Sequence, residues 1–398
     1  MTVLRPTSFD ISTGTVLGVA PPRRPTPTGS PLPRRSTPTG PPDPLDALDA
    51  AVLPGLTRPP CLVSFSGGLD SSLVLAVAVR AARREGLPDP VPVTWRFAGA
   101  PRADESDWQE RVIRALGVDG SWQILRADDE LDLVGPVARR LLHRYGVVHP
   151  VNLHLHLPLA ELAGGGSLLT GGGGDQILAG WRRPPATSLR ARLWWLRHDL
   201  RTRRGPVEQF GWLRPAVARD VQRAHRAEER AEPRLLRHRI AWHARRRDLL
   251  LTCSALSRMA GDHQAAAIQP LLDEGFLAAL AHCGGDRRAV GRDALLAEIV
   301  GDALPAEVIA PRRKARFREV FLREPTREFV RSWDGTGADT DLVDPERLRD
   351  LWSRWPIPGG TASLVQQLWL AAYPAERAGE VGPAGPPTGS DTGVEVRH

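Results

Sequence analysis

Lysine is almost absent from this chain: of its 53 basic residues only Lys314 is a lysine, and the rest are arginine. Cysteine is also scarce. Cys61, Cys253 and Cys283 lie far apart, which excludes a disulfide framework and paired metal-ligand spacing and leaves reduced thiols of a cytoplasmic protein as the expectation. No uninterrupted apolar run reaches the roughly 18 residues of a membrane span. The first residues, "MTVLRPTSFD", lack the apolar segment of a secretion signal. The net charge of +7 suits polyanions: ATP, phosphate or nucleic acid. An almost purely arginine balance in an Ala-, Pro- and Gly-rich chain reflects biased composition more than nucleic-acid binding, and no compact basic-aromatic RNA module is present.

What is there is enough for a large core. The chain has 398 residues, 41% of them hydrophobic, room for two domains or one α/β domain with helical additions. Residues 1–48 are rich in Pro and Arg and 377–398 in Gly and Pro, so both are expected as disordered tails. Between them, the apolar runs "CLVSF", "VPVTWRF", "SWQILRA" and "GGSLLTGG" alternate with helical patterns that close at Gly86 and Gly117. Such alternation predicts a parallel sheet with covered faces over about 56–185. From about 186 to 376 the pattern is mainly helical, with arginine-rich faces.

The stretch "SFSGGLDSS" interrupts a strand-to-helix joint with more polar residues than a turn needs. Glycines let backbone N–H groups turn inward, and the following helix adds its positive end, so the loop is a candidate phosphate nest with hydroxyls from Ser66, Ser71 and Ser72. Asp70 would repel a bare phosphate and makes sense if Mg²⁺ lies between them. A Gly-Gly turn with a capping Asp or Ser is the plainer alternative. The ending is not that of a Walker loop, which needs G-K-[ST].

This stretch resembles the S-G-G-x-D-S signature of the PP-loop ATP pyrophosphatases. Within that superfamily, "GGSLLTGGGGDQILAGW" (165–181), "IQPLLDEGF" (268–276) and "LPAEVIAPRRKARF" (304–317) resemble, in the same order, segments of the synthetase domain of asparagine synthetases. The resemblance spans roughly residues 50–375. It implies an α/β fold: a parallel five-stranded PP-loop (HUP-like) sheet with helices on both faces, then a mainly helical portion, in one synthetase domain over 49–376. It also implies the cofactors ATP and Mg²⁺. Asp70 and Asp175 would hold the metal. Ser66, Gly67, Gly68, Ser71, Ser72, Gly171, Gly172 and Gly173 would surround the phosphates, and the backbone near Val63, Ser64, Phe65 and Thr94 would line the adenine pocket. Lys314 falls on the family's catalytic lysine, where a compact ammonium steadies charge that an arginine does not simply replace.

The chain departs from the pattern in places. A glutaminase domain with a Cys after the initiator Met is not expected, since Thr2 follows Met1. Gly172 and Gln176 stand where the family commonly has Glu, and Gln269 where it commonly has Arg. The loss at Gly172 argues against aspartate as acceptor, and the chain looks more like the branch of β-lactam synthetases and lasso-peptide cyclases, whose amine is tethered to the substrate. The expected activity is ATP-dependent, AMP-forming amide-bond formation in secondary metabolism on a small-molecule or peptide carboxylate, with a precursor-peptide-binding partner as a further option. An ammonia- or partner-dependent asparagine synthase, a non-catalytic protein with a decayed site and a tRNA-modifying PP-loop enzyme are the alternatives. Asp273 reads as a structural cap. His154 and His156 read as structural histidines, with proton acceptance from the amine as the functional alternative. "LRARLWWLRHDL", with Trp194 and Trp195, reads as a core-packing helix before a leader-binding surface.

Overall fold

A computed structural model describes residues 4–21, 43–181, 193, 210–288, 291–312, 315–374 and 395–397. Five parallel strands, β1 (Cys61–Ser64), β2 (Val91–Phe97), β3 (Gln123–Ala127), β4 (Ser167–Thr170) and β5 (Ala266–Ile268), lie in the order β5-β4-β1-β2-β3. This is the expected parallel α/β sheet. One addition was not foreseen: β6 (Glu395–Arg397) pairs antiparallel with β3, so part of the expected C-terminal tail covers a sheet edge.

The pleat sends alternate residues to opposite faces, and both faces are apolar. Leu62, Leu168, Val93, Trp95 and Leu125 enter one core; Val63 and Leu169 enter the other. The second core is closed by α2 (Pro44–Leu56), α3 (Leu69–Glu85) and α4 (Ser106–Leu116). The first is closed by α5 (Pro136–Tyr145), α6 (Leu157–Leu162) and the helix Arg247–Gly261. Gly86 and Gly117 end α3 and α4 in the left-handed conformation, where the sequence placed those ends. The helical portion has its own core of Trp212, Trp333, Trp352 and Trp369.

The N-terminal tail needs correction. Residues 4–21 are packed. The helix α1 (Ser8–Thr13) is held by a capping box between Thr7 and Asp10, Asp10 pairs with Arg247 at 2.7 Å, and the Trp212 indole donates to the Ser12 carbonyl. Composition hid this because the packed piece runs directly into a Pro-rich stretch of similar length. α2 also begins within the expected tail, capped by Asp43. The Trp194–Trp195 stretch lies outside the described residues.

From β1 the chain moves outward to β2 and β3 on one side and later to β4 and β5 on the other. The crevice above the C-terminal ends of β1 and β4 is therefore the topological switch point, where open α/β sheets bind ligands.

Candidate active site

The first loop leaves β1 and enters α3 through Gly68, whose extended backbone carries no side-chain cap. The first amides of this 17-residue helix are thus not consumed by a cap. The serines fold the loop on itself: Ser71 Oγ donates to the Gly68 carbonyl at 3.1 Å and accepts from Ser66 N–H at 3.2 Å. Gln109 Nε2, from α4, donates to the Ser66 carbonyl at 3.0 Å.

The second loop, Gly171–Gly174, lies against the first. A Cβ on Gly171 would sit 2.8 Å from the Ser71 nitrogen, and one on Gly174 only 2.2 Å from the Asp70 carboxyl carbon. Gly173 has φ of +88° and carries Leu272 across it. Gly172 differs: a Cβ there would meet nothing nearer than Thr170 Oγ1 at 3.2 Å. Beyond the glycines comes a single π-helical turn, Asp175–Ala179. Its end is braced from the helical portion. The buried Arg239 guanidinium donates to the carbonyls of Leu178 and Ala179. The buried Glu232 accepts from Trp181 N–H at 2.8 Å and meets His243 Nε2 at 2.7 Å.

Close approach of the loops brings Asp70 and Asp175 to one cation. Arg292 donates to Asp70 Oδ1 and, at 2.7 Å, to Asp175 Oδ1. Sequence reasoning missed Arg292, because one arginine among so many carried no signal. Arg312 was missed likewise; it donates to the Gly67 carbonyl and to Ser72 Oγ, and lies over the Trp108 ring at 4.6 Å. Burial lowers its guanidinium pKa, with Glu105 opposing.

These groups open into one cavity of about 540 Å³ along the C-terminal ends of β1, β2, β4 and β5. Ser64, Phe65, Ser66, Gly68, Asp70, Ser71, Gly171, Gly172, Gly173 and Asp175 line it. Val63 and Thr94 do not: both are buried, and Thr94 Oγ1 donates to the Phe65 carbonyl at 2.8 Å while accepting from the Trp122 indole. Gly67 and Ser72 also stand behind the wall, each held by Arg312. Lys314 lies outside the described residues.

A family model for asparagine synthase matches residues 45–376. The chain belongs to the asparagine synthase family. At the level of that family it is an ATP-dependent carbon–nitrogen ligase. No curated protein matches the chain. The asparagine synthase match contains both glycine loops and the helical segment that carries Arg292 and Arg312.

Asp70 and Asp175 fit the Mg²⁺ that ATP chemistry in an asparagine synthase calls for. Two carboxylates already converge on one positive charge beside the uncapped amides of α3, and hard oxygen ligands are what that ion takes. Among the described residues no group of three or more His, Cys, Asp or Glu is placed for a metal, so the remaining ligands would come from phosphates and water. The two histidines separate. His154 is buried and bonded to the Leu131 carbonyl at 2.9 Å, whereas His156 lines the cavity, and burial, with His154 beside it, lowers its pKa to about 4. Cys253 also lines the cavity, but burial raises its thiol to about 11, so it is no nucleophile at neutral pH. Asp273 is the cap of helix Glu274–Gly284, accepting from Gly275 and Phe276 N–H. Among the described residues no helix is long and apolar enough to cross a membrane.

Proposed function

We propose that this chain adenylates a carboxylate and passes the acyl group to an amine carried by the same substrate. The observation behind the proposal is the convergence of Asp70 and Asp175 at the uncapped start of α3, on the rim of a cavity large enough for nucleotide and substrate together. Backbone amides of both loops would hold the β- and γ-phosphates, with Ser66 and Ser71 fixing the first loop's shape. Mg²⁺, when bound by the two carboxylates, would neutralise phosphate charge and polarise the α-phosphoryl group. The flank beside β2, walled by Trp95, Phe97, Phe317 and Phe321, has the flat apolar surfaces that suit adenine.

In the reaction, a carboxylate oxygen attacks the α-phosphorus and the bond to pyrophosphate breaks. The amine nitrogen then attacks the acyl carbon, AMP leaves, and the amine loses a proton. Arg292 would pass from the carboxylate pair to the departing pyrophosphate, and Lys314 would steady charge at the reacting centre. Substrate-dependent ATP–pyrophosphate exchange tests the proposal: exchange present in the protein and lost in Asp70→Asn supports it. The same Arg292 bridge favours one second reading, a site closed by its own arginine. That reading predicts no Mg²⁺-nucleotide stabilisation in thermal unfolding, which the ligase reading requires.

A further inference from the structure

We infer that Gln109 and Arg312 are positioning residues of the phosphate site: from outside the first loop they hold the carbonyls of Ser66 and Gly67, and so turn the loop's amides toward the phosphates. This rests on the ligase reading above and deepens its account of the nucleotide site.

A loop that holds phosphate by its N–H groups carries as many carbonyl oxygens, and an oxygen turned to the ligand would repel it. The loop's own serines keep it folded. Ser71 Oγ accepts from the Ser66 N–H and donates to the Gly68 carbonyl, and Ser66 Oγ accepts from the Gly68 N–H at 3.2 Å. The carbonyls of Ser66 and Gly67 are met from elsewhere in the chain. Gln109 Nε2, on α4, donates to the first at 3.0 Å, and Arg312 Nη1 donates to the second. In a trans peptide the carbonyl and the next N–H point opposite ways, so these two bonds set the directions of the Gly67 and Gly68 amides. Gly67 has φ of +89°, and a Cβ on it would sit 2.9 Å from Gln109 Cγ, so the glutamine is packed against the turn itself.

Arg312 is a clip between segments. Its Nη1 also donates to Ser72 Oγ at 3.1 Å, its Nη2 to the carbonyls of Glu307 and Val308 at 2.7 and 2.8 Å, and its Nε to the Ala310 carbonyl at 3.2 Å. All three nitrogens are engaged within the protein, whereas Arg292 holds the carboxylates of the metal site. Gln109 is 3% exposed, and its Oε1 is buried with no partner among the described residues. A buried acceptor left in that state costs stability, so stability alone does not account for an amide at this position. Its bond to the Ser66 carbonyl does.

The test is calorimetry on the full chain with Mg²⁺ and two probes, an α,β-methylene ATP analogue and AMP, of which only the first carries the phosphates assigned to the loop amides. Gln109→Met removes the donor, keeps the packing and takes away the unpartnered Oε1, so thermal unfolding should be nearly unchanged. It should weaken the ATP analogue about fivefold, the effect of one neutral hydrogen bond, and AMP by less than about twofold. Arg312→Lys keeps the charge but cannot reach Gly67, Glu307 and Val308 together, and should weaken the analogue about tenfold or more. Unchanged affinity for the analogue in a folded Gln109→Met protein, AMP weakened as much as the analogue, or a Gln109→Met protein that fails to fold would each overturn the inference. Failure of the unaltered chain to bind the analogue would instead overturn the ligase reading, and the inference with it.

Discussion

The two glycine loops do related work and are built in opposite ways. The first, Ser66–Ser72, is largely self-contained, with its serines bonding back to its own backbone and the helix start following directly. The second, Gly171–Asp175, has few such bonds. Its shape comes from lying against the first loop and from a buried brace of Glu232, His243 and Arg239 more than fifty residues away in sequence. A loop folded by its own side chains tolerates change around it. One folded by contact depends on what it touches.

The largest effect should come from filling that contact. Gly174→Ala puts a methyl on the Asp70 carboxylate, so the loops must part, costing about 1–3 kcal/mol and the alignment of the two carboxylates. Mg²⁺-nucleotide stabilisation in thermal unfolding should disappear. Gly172→Ala, two residues earlier and facing the cavity, should change stability by less than about 1 kcal/mol. Equal behaviour of the two variants would break the comparison.

Next comes the brace. Glu232→Leu leaves His243 and the Trp181 N–H without their buried acceptor and should cost about 1–2 kcal/mol in denaturant unfolding. Amide exchange should quicken in residues 175–181 while α3 keeps its protection.

Near pH 6 the pH response is smaller, because most of it is expressed only toward pH 4. Burial keeps His156 neutral, with a folded pKa near 4 against an ordinary value of 6.5. Between those values the unfolded chain binds the proton first, so stability should fall as pH drops from about 6.5 toward 4. His156→Asn should flatten that part of a stability-versus-pH series.

The smallest effect should follow Ser71→Ala, about 1 kcal/mol for the lost hydroxyl bonds. Ser66→Ala made in that background should add less than its own separate cost, because the two hydroxyls bond each other at 3.1 Å. Additive losses would mean that the first loop is not held by its own side chains.

Much of this site was legible because its signals are local. The first loop, the strand before it, the helix after it and the Asp273 cap each lie within a few residues, and propensity and capping act over that range. Asp175 was singled out by the family resemblance, not by local pattern. The errors were of another kind. Thr94 and Val63 sit on strands beside the site, but pleat direction and packing put them behind the cavity wall. The ordered residues 4–21 owe their packing to Arg247 and Trp212, which no local pattern announces.

The sequence by itself determined the parallel α/β sheet and the helix boundaries at Gly86 and Gly117, because hydrophobic period and turn chemistry are properties of neighbouring residues. Only the tertiary structure decided that Arg292 joins Asp70 and Asp175, that Gly172 differs in kind from the glycines around it, and that Gln269 Nε2 is buried with no partner among the described residues. Such facts depend on which surfaces meet across long chain separations, and a one-dimensional pattern carries no record of that distance.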